Sequence, residues 1–314
     1  MLFIDAAQVH SSLDWPSLIE AMRAAHANAA APQLDDMLLG PAETSMLVRG
    51  VFFPGLGLGV KAVSVFPGNR EHDPALPAVQ GMFLLFDKDD GRLLAAIDGA
   101  AITPWKTAAD SALGSLLLSA PDVQLMAMIG AGTMARPLIE AHLSARPSIE
   151  KVVIWNRSRA NAEALAASLG DLRRDVQVAD DLSDAVRSAD LVCSATFAIE
   201  PHIMGKWLKP GAHVDLVGAF RPDMREANDE TLRRGRVFVD ARATTIHHIG
   251  ELMIPLKHGV ITEADIEGEF FDLCSQPPIN RQSTDITVFK NGGGAHLDLI
   301  TTRLVYERVA AKAG

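Results

Sequence analysis

The chain has few cysteines: only Cys193 and Cys274 occur among its 314 residues. Two distant thiols form neither a disulfide framework nor a zinc-finger spacing, so a disulfide-rich secreted scaffold is excluded and a reducing cytoplasm is the expected compartment. Long apolar runs are also missing, because no stretch reaches the ~18 residues of a membrane-spanning helix. The first residues, MLFIDAAQVH, lack the basic region of a signal peptide. We therefore expect a cytoplasmic protein without membrane association.

Positive charge is also scarce. There are 29 Lys and Arg residues against 39 Asp and Glu, giving a net charge of −10, which argues against nucleic-acid binding but allows a local basic pocket for an anion. With 48% hydrophobic residues the chain can form an ample core, and its length favours two domains. The histidines, including His247, His248 and His296, show no metal-ligand spacing, so no metal site is predicted.

The apolar pattern divides the chain into two kinds of structure. A helix is predicted from near Asp14, and the stretches TSMLVRGVFF, LGVKAVSVF, VQGMFLLFD and RLLAAI predict an antiparallel sheet, with DKDDGR as a hairpin turn. From about residue 123, short apolar strands alternate with helical segments, which predicts a parallel, doubly wound sheet. The last segment, GGGAHLDLITTRLVYERVAAK, predicts an amphipathic helix beyond that sheet.

A glycine-rich turn follows the first strand of the alternating region. Gly130, Gly132 and Ala135 form the pattern G-x-G-x-x-A directly after a predicted strand and at the start of a predicted helix. The first glycine permits a tight turn, the second lets a pyrophosphate approach the backbone, and the helix N-terminus faces the phosphates. We predict a dinucleotide site here, with Thr133 and Met134 as further contacts. A glycine turn in an unrelated α/β protein is the alternative.

The second strand of this region ends without the usual acidic residue. VVIWNRS has Asn156, Arg157 and Ser158 where a carboxylate would bond the ribose hydroxyls of NAD and repel a 2′-phosphate. The planar fork of Arg157 suits a phosphate, and Asn156 can bond a ribose hydroxyl or a phosphate. The stretch therefore favours NADPH over NADH, unless Arg157 is simply a solvated arginine at a helix start.

Two further loops follow strands at the edge where open α/β sheets bind their ligands. In CSATFAIEPH, Ser194 and Thr196 are predicted to line the nicotinamide side of the site. The loop GAFRPDMRE follows another strand. Its Arg221 and Arg225 could contact a ligand there, or they could be solvated charges of the loop.

Three cations of the first domain lie in apolar surroundings. Arg49 occurs in MLVRGVFF, Lys61 in LGVKAVSVF and Lys106 in AITPWKTAAD. Lysine and arginine are seldom buried without an anionic partner, although each alone is compatible with an exposed sheet face or a side chain of which only the stem is buried. Together they predict a pocket for a small carboxylate.

In their order and spacing, these stretches resemble the ornithine cyclodeaminase/μ-crystallin family over nearly the whole chain. The segments that carry the resemblance are VKAVSVFPGN, LPAVQGMFLLFDKDDGRLLAAIDGAAITPWKTAADSAL, MIGAGTMARPLIEAH, VVIWNRSRANAEAL, GAHVDLVGAFRPDMRE and DITVFKNGGGAHLDL. The resemblance implies an α/β fold in which a Rossmann-type NAD(P)-binding domain, residues 113–290, is inserted into an α+β substrate-binding and dimerisation domain, residues 1–112 plus 291–314. It also implies a homodimer and chemistry at the α-carbon of amino or imino acids.

The resemblance also assigns site residues. Arg49 and Lys61 fall where the family has carboxylate-binding and catalytic cations, Lys106 where members commonly carry arginine, and Thr107 at a position near the cofactor. A lysine at position 106 keeps the charge but loses the bidentate fork. Cyclodeaminases carry an aspartate at the position of Phe220, and phenylalanine cannot act as a base. The resemblance therefore favours the branch whose members reduce C=N bonds.

The predicted function is NADPH-dependent reduction of the cyclic α-imino acids Δ1-pyrroline-2-carboxylate and Δ1-piperideine-2-carboxylate to L-proline and L-pipecolate, with NADH as a less favoured cofactor. Arg49 and Lys106 are expected to hold the substrate carboxylate, and Lys61 to polarise the imine or relay a proton. The alternatives are alanine-dehydrogenase-like reductive amination of a 2-oxo acid, ornithine cyclodeamination, and a non-catalytic NADPH-dependent binding protein of the μ-crystallin kind.

Overall fold

The computed structural model describes residues 1–28, 30–41, 44–74 and 76–313. The chain folds into two compact units: the first comprises Met1–Lys106 with Gly294–Gly314, and the second comprises Thr107–Gly293. The boundaries expected from the sequence follow residues 112 and 290. No helix in the described ranges has the length and apolarity needed to cross a membrane.

Strands β1 to β6 belong to the first unit and β7 to β14 to the second. The helices are α1 (Ala6–Ser12), α2 (Trp15–Asn28), α3 (Gly99–Leu118), α4 (Ala135–Ala145), α5 (Arg159–Ser168), α6 (Leu182–Ser188), α7 (Asp229–Arg234), α8 (Arg242–Thr245), α9 (Gly250–Lys257), α10 (Phe270–Ser275) and α11 (Ala295–Ala313). The strands are β1 (Leu2–Ile4), β2 (Gln33–Leu39), β3 (Ser45–Phe53), β4 (Gly57–Val65), β5 (Val79–Phe86), β6 (Leu93–Asp98), β7 (Leu125–Ile129), β8 (Lys151–Trp155), β9 (Asp175–Val178), β10 (Leu191–Ser194), β11 (His213–Leu216), β12 (Gly235–Val239), β13 (Ile266–Gly268) and β14 (Ile286–Lys290).

The first unit is built on a six-stranded sheet with the order β1-β6-β5-β4-β3-β2. Strands β2 to β6 pair antiparallel, which confirms the prediction for β3 to β6, whereas β1 pairs parallel with β6. Arg49 of β3 lies directly opposite Lys61 of β4, so both side chains project from the same face of the sheet. By the same alternation this face carries the buried Val51, Phe53 and Val63. The two cations therefore share a face with the apolar core of the unit.

Helix α11 returns the end of the chain to the first unit. The sequence predicts an amphipathic helix, but the helix is buried on every side from Ala295 to Thr302, so the prediction is wrong for its first two turns. The reason is that strands β3, β4 and β5 and helices α1 and α2 all pack against it. The hydroxyls of Thr301 and Thr302 bond to carbonyls of their own helix at 2.8 Å. The buried polar residues His296 and Asp298 thereby enter the core.

The second unit is a parallel sheet with the order β13-β12-β14-β11-β10-β7-β8-β9, which confirms the predicted doubly wound arrangement. Buried valines on neighbouring strands, such as Val192, Val214 and Val288, each stabilise the sheet by roughly 2 kcal/mol. The chain runs from β7 to β8 and β9 on one side and then returns to β10 on the other side. A ligand crevice is expected at this switch point, beyond the carboxyl ends of β7 and β10.

Candidate active site

Gly130 makes the turn at the carboxyl end of β7. Its φ of +106° lies in the region that favours glycine, and a Cβ there would lie 2.7 Å from the carbonyl oxygen of Ala195. An added Cβ at Gly132 would meet no described atom within 4 Å, and α4 begins three residues later at Ala135. This open backbone at a helix start fits the pyrophosphate of a dinucleotide.

The turn after β8 supports the glycine turn. Asn156 accepts a hydrogen bond from the backbone N–H of Ala131 at 3.2 Å, and its Nδ2 donates to the carbonyl of Ser158 at 2.9 Å. Ser158 in turn caps α5 by accepting from the N–H of Asn161. Arg157 is exposed and makes no hydrogen bond or ion pair with the residues that the structure describes. Asn156 therefore orders the turn, and the guanidinium of Arg157 is available to a ligand.

These two turns border a cleft of about 440 Å³ in the second unit. Its lining combines the predicted cofactor residues with several neighbours: Gly130, Ala131, Gly132, Trp155, Asn156, Arg157, Asn161, Ala195, Thr196, Phe197, Ala198 and His202. Thr133 and Met134 continue from this lining into the start of α4. Burial lowers the pKa of His202, so its ring is neutral at neutral pH.

Four predicted cofactor residues are not part of this lining: Thr133 and Met134, which follow the glycine turn, and Ser194 and Thr107. Ser194 is fully buried at the end of β10, where its Oγ donates to Glu226 at 2.6 Å. Thr107 is half-buried, and its carbonyl accepts from Asn291 Nδ2 at 3.0 Å. The strand-end pattern identified Ser194 because it follows an apolar run, but strand alternation turns its side chain into the protein.

Two lysine side chains of the first unit meet at Asp298 of α11. Lys61 Nζ lies 3.0 Å from Asp298 Oδ1 and donates to Thr103 Oγ1 at 2.9 Å, and Lys106 Nζ lies 3.7 Å from Asp298 Oδ2. Burial by itself raises the pKa of Asp298, but the charges of Lys106 and Lys61 outweigh it and hold the pKa below its ordinary value. Asp298 is therefore an ionised carboxylate shared by two buried ammonium groups. Sequence reasoning missed its role.

Arg49 approaches the same cluster from β3. Its Nε and Nη2 both donate to Asp36 Oδ2 of the neighbouring strand β2, at 2.9 and 2.7 Å. This ion pair is partly exposed, with 22% of the Arg49 side chain and 44% of the Asp36 side chain accessible. The charge of Arg49 also contributes to the lowered pKa of Asp298. The three predicted cations thus share one electrostatic environment.

His296 lies at the start of this buried segment of α11 and packs edge-on against His26, with ring centroids 5.6 Å apart. Burial lowers the pKa of His296 well below its ordinary value, and the charges of His26, Lys106 and Arg49 lower it further. The imidazole is therefore neutral, and the site's positive charge comes from the lysines and the arginine.

Comparison with known proteins identifies the chain. The model of the ornithine cyclodeaminase/mu-crystallin family matches residues 55–313. The chain is 46% identical to a Delta(1)-pyrroline-2-carboxylate reductase of Paracoccus denitrificans over 299 residues. The matched region covers 95% of this chain and 94% of the relative. The chain belongs to the ornithine cyclodeaminase/mu-crystallin family.

Two further proteins extend the comparison. Ketimine reductase mu-crystallin of Mus musculus is 37% identical over 251 residues, which make up 80% of this chain and 75% of the relative. The structure of Thermococcus litoralis Delta(1)-pyrroline-2-carboxylate reductase in complex with NADH and L-proline matches with a TM-score of 0.91 at 28% identity, covering 100% of this chain and 98% of that chain. The predictions of the family, its reductase branch and an oxidoreductase are confirmed.

The loop after β11 contains Phe220, at the position where the resemblance places an aspartate in cyclodeaminases. Phe220 is 55% exposed and lies edge-on to Phe197 of the cleft, with centroids 6.1 Å apart. Asp223, the nearest carboxylate along the chain, accepts two hydrogen bonds from exposed Arg221. Arg221 is thus a solvated loop charge, whereas Arg225 is buried and paired with Asp229. From Phe220 to Asp223 the sequence has one carboxylate, Asp223, and this carboxylate is paired with Arg221 at the surface.

A second polar cluster in this family member lies inside the second unit. Asp215 accepts hydrogen bonds from Ser111, His142 and Cys193 at 3.0 to 3.1 Å. Burial raises the pKa of the Cys193 thiol, so the thiolate that a metal ion or a nucleophilic reaction requires is disfavoured. The cluster is accounted for as a hydrogen-bonded part of the core.

Proposed function

We propose that this family member catalyses the NADPH-dependent reduction of Δ1-pyrroline-2-carboxylate and Δ1-piperideine-2-carboxylate to L-proline and L-pipecolate. The observation that carries the proposal is the convergence of cations on the buried Asp298. Lys61 and Lys106 both lie beside this carboxylate, and the charge of Arg49 also lowers its pKa. A cluster of cations at an apolar core suits the binding of a substrate carboxylate. The reductases of Paracoccus denitrificans and Thermococcus litoralis support the substrate class.

The reaction follows from the positions of these groups. The substrate carboxylate pairs with Lys106 and replaces Asp36 on Arg49; loss of such a partly exposed ion pair costs at most about 1 kcal/mol. Lys61, held by Thr103 and Asp298, donates a proton from Nζ to the imine nitrogen and regains it from solvent. C2 would take up a hydride, which is the chemistry that a nicotinamide cofactor supplies when bound. The C=N double bond thereby becomes a C–N single bond, and the product is the cyclic amino acid.

The test is cofactor oxidation by the purified protein with each cyclic imine, followed by absorbance without ammonium. We expect oxidation with both rings. Turnover only with an open-chain 2-oxo acid and ammonium would instead identify an alanine-dehydrogenase-like enzyme. Cofactor binding without turnover of any of these substrates would identify a binding protein.

The proposed preference for NADPH rests on Arg157. Its exposed guanidinium borders the cleft beside Asn161, and no carboxylate stands at the end of β8 to repel a 2′-phosphate. Arg157→Ala should raise the Kd of NADPH roughly tenfold and leave the Kd of NADH unchanged, because only NADPH carries that phosphate. Fluorescence titration with both cofactors measures this difference.

The matched control is Arg187→Ala, which removes another exposed arginine, on α6 and outside the cleft lining. It should leave both dissociation constants unchanged. Equal losses of NADPH and NADH affinity in Arg157→Ala would contradict a phosphate contact. NADH is the cofactor held by the Thermococcus litoralis reductase, so tighter NADH binding by the unaltered protein would assign NADH instead.

We propose that the first unit binds the substrate and forms a homodimer, and that the second unit binds the cofactor. Support for the dimer comes from the sheet face opposite the Arg49 and Lys61 face. Strand alternation places on it the exposed side chains of Met37, Leu39, Met46, Phe52 and Leu58. Leu39 pairs across strands with Met46, and Phe52 with Leu58, so the apolar surface is continuous. A second copy is the expected occupant.

Light scattering after gel filtration tests this assembly. We expect twice the chain mass of 33.6 kDa for the unaltered protein. Phe52→Glu should shift the mass toward the monomer, because it introduces a charge into each copy of the apolar face. A monomeric unaltered protein at micromolar concentration would contradict the proposed dimer.

A further inference from the structure

Glu226 is a fully buried carboxylate in the loop after β11. Its Oε1 accepts hydrogen bonds from Ser194 Oγ at 2.6 Å and from both the N–H and the Oγ1 of Thr196 at 2.8 Å. Its Oε2 accepts from the N–H of Gly218 at 2.5 Å. A single carboxylate therefore binds four donors from the ends of two neighbouring strands.

The two strand ends that Glu226 joins are in direct contact. A Cβ at Gly218, after β11, would lie 2.1 Å from the carbonyl oxygen of Thr196, after β10, so only glycine allows this approach. Thr196 lines the cofactor cleft together with Ala195 and Phe197. The carboxylate of Glu226 thus holds one wall of the cleft from behind, without lining it.

Glu226 is itself held in place. Its backbone N–H donates to Glu251 Oε2 at 2.7 Å, and the N–H of Ala227 donates to Glu251 Oε1 at 3.0 Å. Glu251 is fully buried on α9. The position of Glu226 therefore depends on a second carboxylate and not on the flexible loop alone.

We propose that Glu226 is a positioning residue for the cofactor: as a carboxylate, it joins the loops after β10 and β11 and thereby orders the cleft wall formed around Thr196. The inference rests on the proposed binding of a nicotinamide cofactor in this cleft. All four partners donate hydrogen bonds to Glu226. A proton on either carboxylate oxygen would face the hydrogen of a donor and weaken the hydrogen bonds that join the two loops. Ser194 acts in the same way, through Glu226 and not through direct contact with the ligand.

The charge of Glu226 varies near neutral pH. Burial, and then the charge of Glu251, raise the pKa of Glu226 to about 7, while Lys290 and the hydrogen bonds from Ser194 and Thr196 partly oppose the increase. The titratable groups around it on other elements are Glu251 on α9, Lys290 at the end of β14, Cys193 on β10 and His202 in the loop after β10. Burial raises the pKa of Glu251 and Cys193 and lowers that of Lys290 and His202. Glu226 is thus the group expected to titrate near pH 7.

The experiment is titration with NADH, which lacks the titrating 2′-phosphate, using cofactor fluorescence and quenching of Trp155 in the cleft. Glu226→Gln keeps the side-chain size, but the NH2 group of the new amide faces groups that are themselves hydrogen-bond donors. We therefore expect the Kd of NADH to rise roughly tenfold. In the unaltered protein, affinity should rise about fourfold between about pH 6.5 and 8.5, as the ionised fraction of Glu226 grows. Glu226→Gln should remove this pH dependence.

Two further variants separate positioning from general loss of structure. Ser194→Ala removes one donor to the carboxylate and should shift the midpoint of the pH dependence upward. Asp240→Asn alters another fully buried carboxylate, at the end of β12, and should leave the Kd unchanged even where thermal unfolding shows lost stability.

A tenfold loss of NADH affinity in Asp240→Asn as well would overturn the inference. So would an unchanged Kd and pH profile in Glu226→Gln while the unaltered protein binds NADH. Failure of the unaltered protein to bind NADH or NADPH would overturn the proposed cofactor and this inference together.

Discussion

Replacing Lys61 with methionine is expected to lower kcat/KM for the cyclic imine about a thousandfold, within the range of general acid catalysis. Methionine retains the length of the side chain but has no proton to donate. Because Lys106 and Arg49 remain to hold the substrate carboxylate, most of the loss should fall on kcat. Steady-state kinetics over a range of imine concentrations separate kcat from KM.

Lys88→Met provides the matched control. Lys88 lies in the turn after β5 of the same unit, and its ammonium pairs with Asp89 at the surface. Its replacement should leave kcat and KM unchanged, since exposed ion pairs contribute little. A rise in KM at constant kcat in Lys61→Met would assign Lys61 to substrate binding and contradict its role as proton donor.

Asp298→Asn is expected to lower the free energy of unfolding by about 3 kcal/mol at neutral pH. Asp298 and its two lysine partners are all buried, and the substitution removes the negative charge that both ammonium groups share. Urea denaturation followed by tryptophan fluorescence measures the difference. The control is Asp36→Asn, which breaks the partly exposed pair with Arg49 and should cost less than about 1 kcal/mol.

The pH dependence of stability in Asp298→Asn tests whether the ionised charge of Asp298 stabilises the protein. The pKa of this carboxyl is lowered by Lys106 and Lys61 against the effect of burial, so its stabilising contribution is fully present above its ordinary pKa of 3.8. The contribution is lost as the pH falls through the lower pKa of the folded protein. The stability difference between the unaltered protein and Asp298→Asn should therefore narrow in acid. A difference that stays constant with pH would show that packing, and not charge, is responsible.

Elements with a strong local pattern were predicted well. Strands β3 to β6 and β7 to β12 follow apolar or alternating stretches bounded by turn residues, and the antiparallel and parallel pairings follow from the spacing of those stretches. Strand β1 was missed because three residues carry too little pattern. Strand β2 was missed because its Asp35 and Asp36 interrupt the apolar run at the sheet edge.

The residues of the candidate site also differ in whether a local sequence pattern could reveal them. Gly130, Gly132 and Arg157 became candidate residues because a turn conformation and a missing carboxylate are properties of a few consecutive residues. Arg49 and Lys61 became candidates because cations are unusual in apolar strands. Asp298 was missed although it lies among apolar residues in the same way, because its helix was taken to have a polar, solvated face.

The sequence by itself determined the two kinds of sheet, the glycine turn and the three cations in apolar stretches of the first unit, because backbone preference and residue spacing are encoded locally. Only the tertiary structure decided which charged and polar groups pair with each other. Lys61 and Asp298 are 237 positions apart, and Ser194 and Glu226 are 32 apart, yet each pair is within hydrogen-bonding distance. Burial depends on which elements pack together, and burial makes these carboxylates strong partners for the groups they hold.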